Sequence, residues 1–124
     1  MISEKKILLV EDDEFVRESI SDLLMISGYN IDTAVNGREG FEKISKQKPA
    51  LVICDVMMPV MDGFQLLEKI KESGFADKVY FMFLSAKSRE SDMEHGLEMG
   101  ANNYMVKPFR NSDLLDKVEE ILSK

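Results

Sequence analysis

The sequence predicts an α/β fold in which five strand–helix repeats build a doubly wound parallel sheet. Three observations carry that prediction. Short apolar runs alternate with longer stretches of helical period, five times over. The runs are apolar almost throughout, as strands covered by helices on both faces must be. Glycine or proline at Gly28, Gly37, Pro49, Gly63, Gly74, Gly100 and Pro108 punctuates the alternation. The 124 residues contain no linker, repeat or low-complexity run, so one domain over residues 1–124 is expected.

The first strand is the apolar run Ile7-Leu8-Leu9-Val10 behind Lys5-Lys6, and it stops at four acids, Glu11-Asp12-Asp13-Glu14. Val16, Ile20, Leu23, Leu24 and Ser27 then recur at helical spacing and define one face of the first helix. Asp13 is its expected N-cap and Gly28 its left-handed stop. Residues 29–35 read as the second strand, with Ile31, Thr33 and Val35 alternating. Asn36, with Glu39 three residues on, caps a second helix with Phe41 and Ile44 inward. Pro49 closes that unit, and residues 50–54 form the third strand, which ends on Asp55.

Asp62-Gly63 opens the third helix, with Phe64, Leu67 and Ile70 inward and Gly74 at its end. Residues 78–84 are the fourth strand, running out into Ser85-Ala86-Lys87-Ser88. Met93, Leu97 and Met99 mark the fourth helix, which Gly100 closes. Residues 103–106 form a short fifth strand, cut off by Lys107-Pro108, and Leu114, Leu115, Val118, Ile121 and Leu122 stripe the last helix.

A net charge of −7 disfavours direct contact with nucleic acid, which needs clustered Lys and Arg. The single cysteine excludes an internal disulfide and fits a reducing cytoplasm. The segment from Met1 to Lys6 lacks the form of a signal peptide, and no apolar run is long enough to span a bilayer, so no membrane association is expected.

All C-terminal strand ends of a parallel sheet lie on one edge. That edge gathers Glu11-Asp12-Asp13, Asp55, Ser85 and Lys107. For a strand order 2-1-3-4-5 the crevice lies between the first and third strands, flanked by the acid cluster and Asp55. Two like charges about 4 Å apart repel by about 4 kcal/mol at an effective dielectric of about 20. A compensating cation is therefore required if the acids stay ionised. Lys107 supplies one charge and a divalent ion supplies two. The donors are all oxygen, which suits Mg²⁺; His95 and Cys54 are wrongly placed for zinc. Mg²⁺, an ammonium and a hydroxyl are groups that hold phosphoryl oxygens, and a free carboxylate can accept the phosphoryl group.

Over nearly its full length the chain resembles a receiver domain of a two-component response regulator, like the single-domain chemotaxis regulators. The motifs are Glu11-Asp12, Asp55 with Pro59 and Asp62-Gly63 beyond it, Ser85-Ala86, and Lys107-Pro108-Phe109. Arg17, five residues after Asp12, identifies Glu11 and Asp12 as the paired acids, with Asp13 outside the pair. The resemblance implies a flavodoxin-like fold and a phosphorylation switch rather than an enzyme with an external substrate. Asp55 would accept a phosphoryl group from a sensor histidine kinase or histidine phosphotransfer protein. Asp12, Asp55 and the Met57 backbone carbonyl would bind Mg²⁺ directly, and Glu11 through water. Lys107 and Ser85 would contact phosphoryl oxygens, with Tyr104 rotating inward behind Ser85. The Lys107–Pro108 bond is expected cis. The fourth helix, fifth strand and fifth helix would form the face read by a downstream protein, with a phosphorylation-dependent dimer as one outcome.

Ser85 stands where Thr is commoner, and Asn102-Asn103 where receivers joined to DNA-binding domains often carry two acids, which weakens the case for their usual salt-bridged dimer. Taken singly, each residue has an ordinary reading: acids favoured at a helix start, a strand-end Asp, a solvated Lys, a capping Ser, a half-buried Tyr. Their joint placement favours the receiver. The alternative is a Mg²⁺-dependent phosphatase with an aspartyl nucleophile, which would want a second acid where Met57 stands. A flavin-binding domain would want Ser, Thr and Gly after the first strand, where this chain is acidic. A receiver that binds partners without phosphorylation gains no support, since every expected group is present. No output domain is read in the sequence: a single-domain regulator and a piece of a longer chain are both open.

Overall fold

A computed structural model describes residues 5–74, 79–87 and 89–123. The expected fourth-strand start at Lys78, the residue Ser88 and the segment before Lys5 lie outside the described residues. The elements run β1 (Lys6–Val10), α1 (Glu14–Ile26), β2 (Asn30–Ala34), α2 (Gly37–Gln47), β3 (Leu51–Cys54), α3 (Gly63–Glu72), β4 (Tyr80–Ser85), α4 (Glu90–Glu98), β5 (Asn103–Val106) and α5 (Asn111–Leu122). All pairings are parallel and the strand order is β2-β1-β3-β4-β5, as expected.

Alternation along the strands splits the core into two layers. Leu8, Val10, Val52, Cys54, Phe81 and Phe83 face α2, α3 and α4, meeting Ile44, Leu66, Leu67 and Ile70. Ile7, Leu9, Leu51, Ile53, Met82 and Leu84 face α1 and α5, meeting Ile20, Leu24, Leu114, Val118 and Ile121. Both strand faces are covered, which is why these runs read as continuously apolar. Among the described residues, no helix is long and apolar enough to cross a membrane.

Several side chains depart from the helical patterns. Ser27 is exposed rather than inward: it is the α1 C-cap, and its hydroxyl donates to the Leu23 carbonyl at 2.8 Å. Val35 is exposed because β2 is an edge strand that ends one residue earlier. In α4, Leu97 is 47% exposed and Gly96 is the buried residue. A Cβ at position 96 would stand 3.0 Å from Phe83 and 3.1 Å from Tyr104, so those rings occupy the space a larger inward residue would need. Leu66, unremarked in the periodicity of α3, is fully buried beside Leu67.

Candidate functional site

Local rules put the acids at the sheet's C-terminal lip. β1 ends at Val10, and α1 begins only after Asp13, whose side chain accepts from the Val16 amide at 2.9 Å. Glu11 and Asp12 are therefore left in the turn between strand and helix. The Glu11 amide donates to Ala34 and the Asp55 amide to Val10, each at 3.0 Å, so ladder-like bonds carry both residues past the strand ends. Glu11 and Asp55 are buried, Asp12 is exposed, and one carboxylate oxygen from each lies within 4.8 Å of the others.

Lys107 reaches this cluster from the end of β5. Its Nζ lies 2.9 Å from Glu11 Oε1 and 3.5 Å from Asp55 Oδ2. The other Glu11 oxygen accepts from the Asp13 amide at 3.2 Å. Burial lifts the Glu11 carboxyl above its ordinary range, with the Asp55 charge adding to the lift while the Lys107 bond opposes it. Burial alone would depress Lys107. The bond to Glu11 and the charges of Asp55 and Glu11 outweigh it, so the ammonium is held above its ordinary value and stays charged at neutral pH. The Lys107–Pro108 bond is cis, and the Lys107 amide donates to the Ser85 carbonyl at 2.8 Å.

Ser85 is fully buried, and its Oγ accepts from the Lys87 amide at 3.0 Å. Tyr104 lies inward, 8% exposed, and its hydroxyl donates to the Lys87 carbonyl at 2.9 Å. One residue, Lys87, is thus held from both sides by Ser85 and Tyr104. The Met57 amide approaches Asp55 Oδ1 at 3.4 Å, and the Met57 side chain is 61% exposed. Cys54 is fully buried, with burial pushing its thiol well up and the Asp55 charge adding to that, and its Sγ donates to the Asp55 carbonyl at 3.1 Å. It is a protonated core thiol. His95 is exposed, with its ring 4.7 Å from that of Phe64.

The loop after Asp55 contains features that sequence reasoning did not find. Asp62 caps α3 in a full capping box with Gln65, whose signal, an acid followed three residues later by Gln, is legible. Val60 is not legible. It sits at φ +72°, with the Met61 amide donating to the Pro59 carbonyl at 2.8 Å, the rare and strained form of a three-residue turn. The Gly37 amide donates to the Met61 carbonyl at 3.2 Å, tying this loop to the start of α2. At that same start Asn36 caps Glu39 as expected, but the Glu39 carboxylate reaches the Val35 amide at 2.7 Å rather than that of Asn36.

Five parallel strands in this order, with acids, a lysine and a hydroxyl at one lip, describe a receiver-type site. The sequence matches the response regulator receiver domain family over residues 7–119, and the chain belongs to that family. It is similar to the transcriptional regulatory protein PcoR of Escherichia coli, 38% identical over 97% of this chain and 52% of that protein. It is also similar to the alkaline phosphatase synthesis transcriptional regulatory protein PhoP of Bacillus subtilis, 36% identical over 97% and 49%. The chain spans about half the length of these curated relatives. Among solved structures, the chemotaxis protein CheY4 of Vibrio cholerae superposes with TM-score 0.88 at 29% identity, over 96% of this chain and 99% of that one. A receiver domain protein from Methanospirillum hungatei gives TM-score 0.88 at 30% identity, over 98% and 95%.

Proposed function

We propose that this receiver domain accepts a phosphoryl group on Asp55 from a histidine kinase or histidine phosphotransfer protein, in a Mg²⁺-dependent reaction, and thereby changes its α4–β5–α5 face. One observation carries the reading: three carboxylates converge within 4.8 Å, and a single ammonium bridges Glu11 and Asp55. An Asp55 oxygen attacks the phosphorus of the donor's phosphohistidine; the P–N bond breaks and its electron pair stays on the imidazole nitrogen. Lys107 leaves Glu11 to meet a phosphoryl oxygen, and Ser85 Oγ turns to another.

The donor set fits a hard divalent cation, since every side-chain ligand offered is a carboxylate oxygen. Asp12, Asp55 and the Met57 carbonyl would hold Mg²⁺ directly. Both Glu11 oxygens already accept hydrogen bonds, which suits contact through water. Bound there, the ion would neutralise the charge that gathers on phosphoryl oxygens. Turning Ser85 frees the Lys87 amide, and Tyr104 holds the carbonyl of the same residue, so phosphorylation reaches β5 and α4 through Lys87.

The domain acts as a phosphoacceptor switch, by protein contact, in the cytoplasm. The curated relatives named as transcriptional regulators extend well beyond this stretch. At net charge −7, this domain itself makes no direct nucleic-acid contact. A purified chain incubated with Mg²⁺ and a small phosphodonor should gain one alkali- and hydroxylamine-labile phosphoryl group, and Asp55→Asn should gain none. Undiminished labelling of Asp55→Asn rules the assignment out.

A further inference from the structure

We propose that Arg17 is a positioning residue for the cation-binding acid pair: its guanidinium clamps the backbone carbonyls of Glu11 and Asp12 and so fixes where the Asp12 carboxylate stands. This rests on the Mg²⁺ reading given above.

The three acids are held differently. Glu11 is fixed by Lys107 and by the Asp13 amide, and Asp55 is flanked by Lys107 and the Met57 amide. Asp12 is exposed, and among the described residues no hydrogen bond or ion pair engages its carboxylate. Its place is therefore set by the backbone of the β1–α1 turn. That backbone is gripped from within the first turn of α1. Arg17 Nη1 donates to the Glu11 carbonyl at 2.9 Å and approaches the Asp12 carbonyl at 3.4 Å. Arg17 is itself fixed by the helix, because its amide donates to the Asp13 carbonyl at 2.9 Å. Both contacts run through the one nitrogen Nη1, which sits between the two carbonyls as a shared donor.

Charge and position act in opposite directions. By Coulomb attraction alone, removing a cation beside the acids should tighten Mg²⁺ binding. Removing the clamp should weaken it, because Asp12 then samples orientations that do not point at the ion. Partners that orient a ligand commonly change metal affinity by about 10–100-fold.

The test is a calorimetric Mg²⁺ titration of the whole chain at a temperature where every variant is folded. Wild type is expected to bind, Arg17→Ala to bind about tenfold more weakly, and Arg17→Lys to fall between them. Affinity in Arg17→Ala equal to or tighter than wild type overturns the positioning role while leaving the Mg²⁺ site intact. Absence of Mg²⁺ binding in wild type overturns the site and the role together. Should Arg17→Ala fail to fold, Arg17→Met, which keeps the aliphatic stem and removes the donor, carries the test, and affinity equal to or tighter than wild type in that variant overturns the role.

Discussion

Gly63 lies so close to Asp55 that a Cβ at position 63 would stand 2.4 Å from the Asp55 carbonyl oxygen. The obstacle is backbone, so no rotamer change relieves it, and the Phe83 ring closes a second side at 3.0 Å. The Gly63 amide also donates to the Val56 carbonyl at 2.8 Å, which fixes the path of the whole loop. Gly63→Ala should cost about 1–3 kcal/mol as overpacking and displace the proposed acceptor. Denaturant unfolding measures the first effect. An unchanged midpoint would contradict the close approach.

Val60 makes the opposite prediction. A β-branched residue at φ +72° costs about 1–2 kcal/mol relative to a conformation it prefers, and its side chain is 73% exposed, so little packing repays it. Val60→Gly should raise the unfolding free energy by about 1 kcal/mol after glycine's own entropic cost. A lower denaturation midpoint for that variant would mean the valine contributes contacts that outweigh its backbone.

The third prediction concerns pH. Burial holds the folded Glu11 carboxyl above its ordinary 4.5, so the folded chain binds that proton more tightly than the unfolded chain. The contribution to stability is full below pH 4.5 and is lost as pH rises through the raised folded value. In metal-free buffer, the unfolding free energy of wild type minus that of Glu11→Gln should fall from pH 4.5 toward neutrality. A flat or rising difference is the contrary result. Lys107 acts at the other end: its stabilisation is full below its ordinary 10.5 and is lost as pH rises through its raised folded value. Glu11→Gln, which removes one of its partners, should soften that alkaline loss.

Apart from the half-exposed edge strand β2, the strands were legible because burial on both faces leaves them almost continuously apolar, and the candidate site because four of the five strand ends bring a charged or hydroxyl group to the lip in chain order. What escaped was tertiary. Helical period places Leu97 on an inward face, but only the rings of Phe83 and Tyr104 decide that Gly96 takes that place. Gly63 and Gly37 read as turn residues; their close approaches to Asp55 and Met61 come from segments brought together by folding. Valine is among the residues least suited to positive φ, so no local rule would assign it to Val60. Arg17 was legible as a family marker, whereas its grip on two carbonyls is a matter of geometry.

The two side-chain layers share only the strands between them. Ile53 and Cys54, or Met82 and Phe83, are chain neighbours that belong to opposite layers. Tyr104 and α4 belong to one layer, whereas Leu114 and Val118 of α5 belong to the other together with Ile20 and Leu24 of α1. A signal that starts at Tyr104 therefore reaches α5 only across the sheet, and β5, with Tyr104 and Val106 in one layer and Met105 in the other, is the strand that hands it through.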